Sequence, residues 1–176
     1  MELTRRCDYA CRILRSAYRH RERYVSIAEI SEEEDIPYAF ARTIQHDLAT
    51  IGYVRTVRGS RGGLQLAIDP QTVTVLDLLH ALQGPVSVSS CAADPETCPK
   101  NAACAFNRMW QAADRALAGL FGSITLYEVL EADSDLAGFK ASVDQKADEA
   151  VDISMQELIS GRGPASCSAS SQIASA

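Results

Sequence analysis

The segment from Ser26 to Gly63 constrains the fold most, because its start, stop and turn signals come in a fixed order. Ser26-Ile27-Ala28-Glu29 has capping-box spacing, with Val25 and Ile30 at the positions of a hydrophobic staple, so a helix begins at Ser26. It must stop near Ile36, since Pro37 lacks an amide donor and pushes its predecessor out of the helical region. Pro37 itself suits a first helical turn, and Phe40, Ile44, Leu48 and Ile51 then share a face until Gly52 ends the helix. Two extended segments follow, 53–58 and 64–68, joined by the turn Gly59-Ser60-Arg61-Gly62-Gly63. Upstream, Thr4 caps a helix running to about His20, with Tyr9, Ala10, Ile13, Leu14 and Ala17 as its apolar side and Arg12, Arg15 and Arg19 as its wet side. Three helices and a basic, Gly-tipped hairpin make the order of a winged helix-turn-helix. The expected class is mainly α with a small β-wing, a winged helix-turn-helix domain plus a long dimerisation helix.

Charge supports a nucleic-acid face at one end. The net charge of -6 hides an asymmetry: residues 1–66 hold eleven Arg against nine acids, and the remainder holds six basic residues against fourteen acids. On the free face of the third helix, Arg42 and Gln45 are the candidates for reading base edges, because guanidinium and carboxamide groups match guanine and adenine in two-pronged geometry. Tyr38 suits a phosphate or a thymine methyl, and Arg58 and Arg61 at the wing suit the minor groove or the backbone. The run Glu32-Glu33-Glu34-Asp35 reads as a solvated patch turned away from DNA.

After the wing, Thr74 starts a short helix that Gly84-Pro85 closes. Beyond it lies a polar stretch, about 86–104, with neither helical nor strand period. Phe106, Trp110, Ala113, Leu117, Leu120 and Ile124 then alternate steps of four and three, the seam of a helix packed on a partner helix, which predicts a homodimer. Thr125 caps a last short helix, and the rest turns acidic, with one amphipathic piece on Val143, Ala147, Val151, Met155 and Leu158 before a compositionally disordered end from 161. The expected domains are 1–70 for DNA binding, 71–131 for the cysteine loop and dimerisation helix, and 132–176 for an acidic, partly disordered tail. The start of the chain does not read as a secretion signal, no stretch has membrane-spanning length, and the compartment expected is the cytoplasm.

Cys91, Cys98 and Cys104 stand in a flexible polar segment, where thiolates favour zinc, copper(I) or an iron-sulfur cluster. Their spacing is wider than the Cys-x2-Cys knuckles of zinc ribbons. Cys7 and Cys11, one turn apart, read as small residues in the helix packing. His20, His46 and His80 lie on separate helices without a nucleophile or paired carboxylate, so the chain is not read as an enzyme.

Several pieces together carry a family likeness: Met1-x-Leu3-Thr4-x3-Asp8-Tyr9-x2-Arg12, Arg58-Gly59-x2-Gly62-Gly63, Leu76-Asp77-Leu78-Leu79, the three-cysteine loop, and Ile124-Thr125-Leu126. Over about residues 1–131 the chain resembles the iron-sulfur winged-helix transcriptional regulators of the IscR/NsrR family. The resemblance implies a homodimer on a palindromic operator in double-stranded DNA, probing redox or nitric oxide stress through a two-iron or four-iron cluster, most simply as a repressor. It also bears on the fourth ligand. The histidine that IscR-like members carry three residues after the last cysteine is Asn107 here, a departure, whereas the aspartate that NsrR-like members supply across the dimer corresponds to Asp8. Two alternatives stay open: a cluster-free winged-helix regulator that uses thiol oxidation, and a zinc-binding interaction module.

Overall fold

Thr4 caps the first helix, its Oγ1 accepting the Cys7 amide at 3.4 Å, and α1 runs over Arg5–Arg19. The computed structural model describes residues 3–59, 62–132 and 134–160; Arg61 and the tail stretch from 161 lie outside the described residues. Helices α2 (Ile27–Glu33) and α3 (Tyr38–Thr50) follow, and Gly52, at φ +81°, turns the chain out of α3 as a left-handed glycine does. Half of the expected capping box forms at Ser26: its hydroxyl accepts the Glu29 amide at 3.1 Å, while the Glu29 carboxylate pairs with Arg23. Val25 and Ile30, the staple, are both fully buried.

The wing is an antiparallel pair, β1 (Val54–Val57) against β2 (Gly63–Leu66), with Val54 opposite Leu66 and Val57 opposite Gly63. Val25 joins it from the other side. Its amide donates to the Leu64 carbonyl at 2.9 Å and its carbonyl accepts the Leu64 amide at 2.8 Å. Ile13 and Leu14 of α1, Ile30 of α2, Leu48 of α3 and Leu64 of β2 thereby meet in one core, each side chain worth about 1.5–3 kcal/mol on burial.

Two expectations for this half are corrected. Ala41, Ile44 and Leu48 form the inner line of α3, and Phe40 is 61% exposed, lying against the Tyr9 ring at 6.4 Å between centroids. A row stepping by four from residue 40 drifts around the helix, and Ala41 takes the inner position instead. The acidic run is solvated only in part, Glu32, Glu33 and Asp35 being exposed. Glu34 is buried and pairs with Arg15 and Arg19, and Glu33 accepts from Ser16 Oγ at 2.7 Å, so α1 and α2 are bolted together by charge. Burial opposes ionisation of Glu33, yet hydrogen bonds from Ser16, His20 and Arg19 hold its carboxyl below the ordinary value. Removing a buried carboxylate strands its partners, though half-exposed guanidinium groups regain water. Glu34→Ala is therefore expected to cost about 2–3 kcal/mol, a fall in melting temperature of about 4–10 °C by thermal unfolding.

In the second half, Thr74 and Asp77 form a complete capping box before α4 (Val75–Gln83), and Gly84 ends it at φ +82°. The stretch expected to lack period holds a one-turn helix, α5 (Ser90–Ala93), and two 3-10 turns, Pro95–Thr97 and Asn101–Ala103. Such turns are too short to leave a periodic signature. Then come α6 (Ala105–Ser123), α7 (Leu126–Glu131), again with a full capping box from Thr125 and Glu128, and α8 (Leu136–Ser160). The Val75 amide donates to the Ile124 carbonyl at 2.9 Å and the Leu126 amide to Val73 at 2.8 Å, tying the start of α4 to the α6–α7 junction. Tyr18 donates to Glu131, joining α1 to α7.

Helix α8 is longer than the amphipathic piece expected there. It packs on α6 through Ala150 and Ser154, both buried, whereas Val151 and Met155 are exposed and the Leu158 side chain lies outside the description. A strict four-residue step again drifts by about 40° per turn, and the inner line alternates threes and fours. Among the described residues, no helix is long and apolar enough to cross a membrane.

Candidate functional site

The surface of α3 opposite Ala41, Ile44 and Leu48 carries Ala39, Arg42, Thr43 and His46, all exposed. Arg42 and Tyr38 therefore stand free of the core as the sequence implies, Tyr38 being 50% exposed. Gln45 is half-buried on the flank of this ridge. His46, one turn beyond Arg42, is a candidate contact the sequence reading missed; its position opposite Ile44 and Leu48 was the available signal. Thr43 turns its hydroxyl back to the Ala39 carbonyl at 3.2 Å. At the wing, Arg58 is exposed beside Gly59, whose φ of +118° and carbonyl bond from the Gly62 amide at 2.9 Å make the turn. Arg55 donates to Gln65 at 2.8 Å across the strands and lies 5.9 Å from the Tyr24 ring centroid.

The cysteine loop hangs from α6. Asp114 accepts the Ser87 hydroxyl at 2.6 Å and the Val88 amide at 2.7 Å, and Asn107, buried, donates to the Cys91 carbonyl at 2.7 Å. Seven residues apart, these two side chains lie on one face of α6 and hold the first limb of the loop. Cys91, Cys98 and Cys104 are all free and half-buried. A hydrogen bond with Ser89 at 3.2 Å, seconded by Asn107, brings the Cys91 thiol below its ordinary value despite some desolvation. Three free thiols are the soft donor set that an iron-sulfur cluster takes, and in that chemistry the residues fit. Among the described residues, however, no three His, Cys, Asp or Glu side chains are gathered closely enough to hold one ion.

Asp8 is exposed on α1 and pairs with Arg12 at 2.9 Å, well apart in sequence from the loop of its own chain. The start of α1 is nonetheless tied to the loop's root: Cys7 Sγ donates to Gln83 Oε1 at 3.0 Å, and Thr4 Oγ1 donates to the same oxygen at 3.3 Å. Gln83 is the last residue of α4, immediately before the loop begins.

Cys7 is buried as its packing role requires, but Cys11 opens on an apolar groove of 260 Å³ lined by Leu14, Phe121, Val129, Leu130 and Phe139. Cys11 is exposed, against the packing role expected of it, yet the apolar groups crowding its sulfur, with Cys7 and Asp8 nearby, push the thiol up to about 11. At pH 8 only about one Cys11 in a thousand is then thiolate. Alkylation of Cys11, followed by peptide mass analysis, is expected to stay slow at pH 8 and to accelerate toward pH 11. The sign for stability follows: folding favours the neutral thiol, so its contribution is full below pH 9 and is lost as pH rises through about 11.

A family model described as Rrf2, an iron-dependent transcriptional regulator, matches residues 3–132, which takes in the three helices, the wing, the cysteine loop and α6. The chain belongs to the Rrf2 family. Membership makes it a DNA-binding transcriptional regulator and not an enzyme. Among Rrf2 relatives, the protein rrf2 of Nitratidesulfovibrio vulgaris is 28% identical over 131 residues, 74% of this chain and 87% of that protein. Two solved structures share the fold at 22% identity: IscR of T. potens, with TM-score 0.61 over 78% of this chain and 90% of that one, and CymR, the global cysteine regulator of B. subtilis, with TM-score 0.62 over 74% and 97%. The Rrf2 match stops before α8, so that helix lies beyond the family's common part.

Proposed function

We propose that this Rrf2 regulator is a cytoplasmic homodimer that represses transcription from a palindromic operator and senses redox or nitric oxide stress through an iron-sulfur cluster. Cys91, Cys98 and Cys104 hold the cluster and Asp8 of the partner subunit completes its coordination. In this reading Tyr38, Arg42, Gln45, Arg58 and Arg61 contact DNA, residues 1–70 form the reading domain, and 71–131 form the sensing and dimerisation part. The observation that supports it best is the loop itself, three free thiols whose first limb is held by Asn107 and Asp114 of one helix. A bound cluster would supply a centre open to oxidants and diatomic gases at its non-cysteine position. The chain's own residues do the rest. Asn107 and Asp114 fix the loop on α6, and Gln83 links the loop's root to α1, so a change in the loop biases the two reading domains between DNA-competent and incompetent arrangements.

The test is an absorption spectrum with iron and sulfide analysis on protein purified without air, beside Cys98→Ala and Asp8→Ala. Visible bands with stoichiometric iron are expected, absent in Cys98→Ala and shorter-lived in Asp8→Ala, which should also bind operator differently. The spread of the thiols, no three metal-ligating side chains being gathered among the described residues, favours one second reading, a cluster-free regulator that uses thiol oxidation. Protein that stays colourless and iron-free after attempted reconstitution, yet binds DNA, decides for that reading; stoichiometric zinc decides for the zinc module.

A further inference from the structure

Helices α6 and α8 run antiparallel. Arg115 pairs with Glu157 at 3.0 Å, Gly119 lies against Ala150, and Lys146 donates to the Ser123 carbonyl at 2.8 Å, so one sequence rises as the other falls. In an antiparallel pair, the residue that follows each inner-line position falls on the same side of both helices, because a two-fold axis between them exchanges the helices without exchanging the sides. After Ala112 and Gly119 on α6 come Ala113 and Leu120, with Met109 one turn earlier; after Ala150 and Ser154 on α8 come Val151 and Met155. The exposed Met109, Val151 and Met155 and the half-buried Ala113 and Leu120 thus fall on one side of the pair.

We propose that this combined face is where a second copy of the chain docks, so that α8, outside the family's common part, completes a dimer interface that α6 opens. The proposal rests on the homodimer reading above and adds the surface. Its occupant is argued from area. On α6 alone the exposed large apolar side chains are Phe106, Met109 and Trp110. At about 100 Å² each they offer about 300 Å² per protomer, against about 800 Å² for a stable interface. Val151 (51% exposed) and Met155 (48%) add roughly 200 Å² more on the same side, while Ile159, nine residues after Ala150, points away from α6. Ile153, 59% exposed, lies on the opposite flank and has no such neighbour.

The experiment measures dimer dissociation of the full chain by sedimentation over a concentration series, for the wild type, Trp110→Glu, the pair Val151→Glu/Met155→Glu, and Ile153→Glu. All four positions are exposed, and circular dichroism with thermal unfolding checks that each variant keeps its helices. A carboxylate in an apolar interface finds no partner, so the α8 pair is expected to raise the dissociation constant at least about tenfold while Ile153→Glu leaves it unchanged. If Trp110→Glu dissociates the dimer and the α8 pair does not, or if Ile153→Glu is equally disruptive, the α8 surface is overturned and the homodimer reading survives. A wild type that stays monomeric at every concentration overturns both and leaves the face to a different protein.

Discussion

Gly63→Ala is expected to detach the wing from the domain and lower stability by about 3 kcal/mol, a fall of about 6–12 °C in melting temperature. A methyl group at residue 63 would collide with the Val25 carbonyl, whose carbon would be 2.6 Å from it, with the Ser26 nitrogen at 3.1 Å. These are backbone atoms in the bridge to Leu64, so no side-chain rotation relieves the clash. Moving them apart breaks two hydrogen bonds and uncovers Val25 and Leu64, both fully buried. Gly59→Ala is the control. That glycine sits at φ +118° with nothing within 4 Å, so the substitution carries backbone strain of about 1–3 kcal/mol and leaves the Val25 bridge intact. Thermal unfolding separates the two, and operator affinity should fall further in Gly63→Ala because Arg58 loses its platform.

Arg42→Ala is expected to weaken operator binding about 10–100-fold with stability changed by less than about 0.5 kcal/mol. Arg42 stands on the outer ridge of α3, away from Ala41, Ile44 and Leu48, so truncating it leaves the core intact. Titration of DNA at several salt concentrations identifies the kind of contact. Readout of a base edge relaxes preference at one base pair with little change in salt slope, whereas loss of a phosphate contact weakens all sequences alike and lowers the slope by about one. Gln45, half-buried on the flank, should give the smaller loss of the two.

The reading domain was legible because its signals are local. Thr4 and Ser26, Pro37, Gly52 and the wing glycines each act within a few residues, and the structure follows them closely. Glu34 was not legible, since its burial depends on Arg15 and Arg19 arriving from another helix. Phe40 and the α8 register failed for a common geometric reason: a step of four residues overshoots a turn, and only the neighbouring element decides which side of the drifting row is covered. The anchoring of the cysteine loop by Asn107 and Asp114 left no trace in spacing either, because the loop's partners are polar atoms of a helix that follows it. The thiols themselves were plain in the sequence; what holds their backbone was not.

Gln83 has a consequence for how information moves through the molecule. One carboxamide oxygen receives both Cys7 and Thr4 at the beginning of the chain, and the next residue, Gly84, begins the strand of backbone that carries the thiols. It works as an axle pin between two levers. A swing of the loop about Gly84 would pull first on α1, which packs on α3, where Arg6 pairs with Asp47 at 2.9 Å, and on β2 of the wing. Under the proposed function, a change at the cysteines would then reach α3 and the wing together, as a tilt of the domain that carries both.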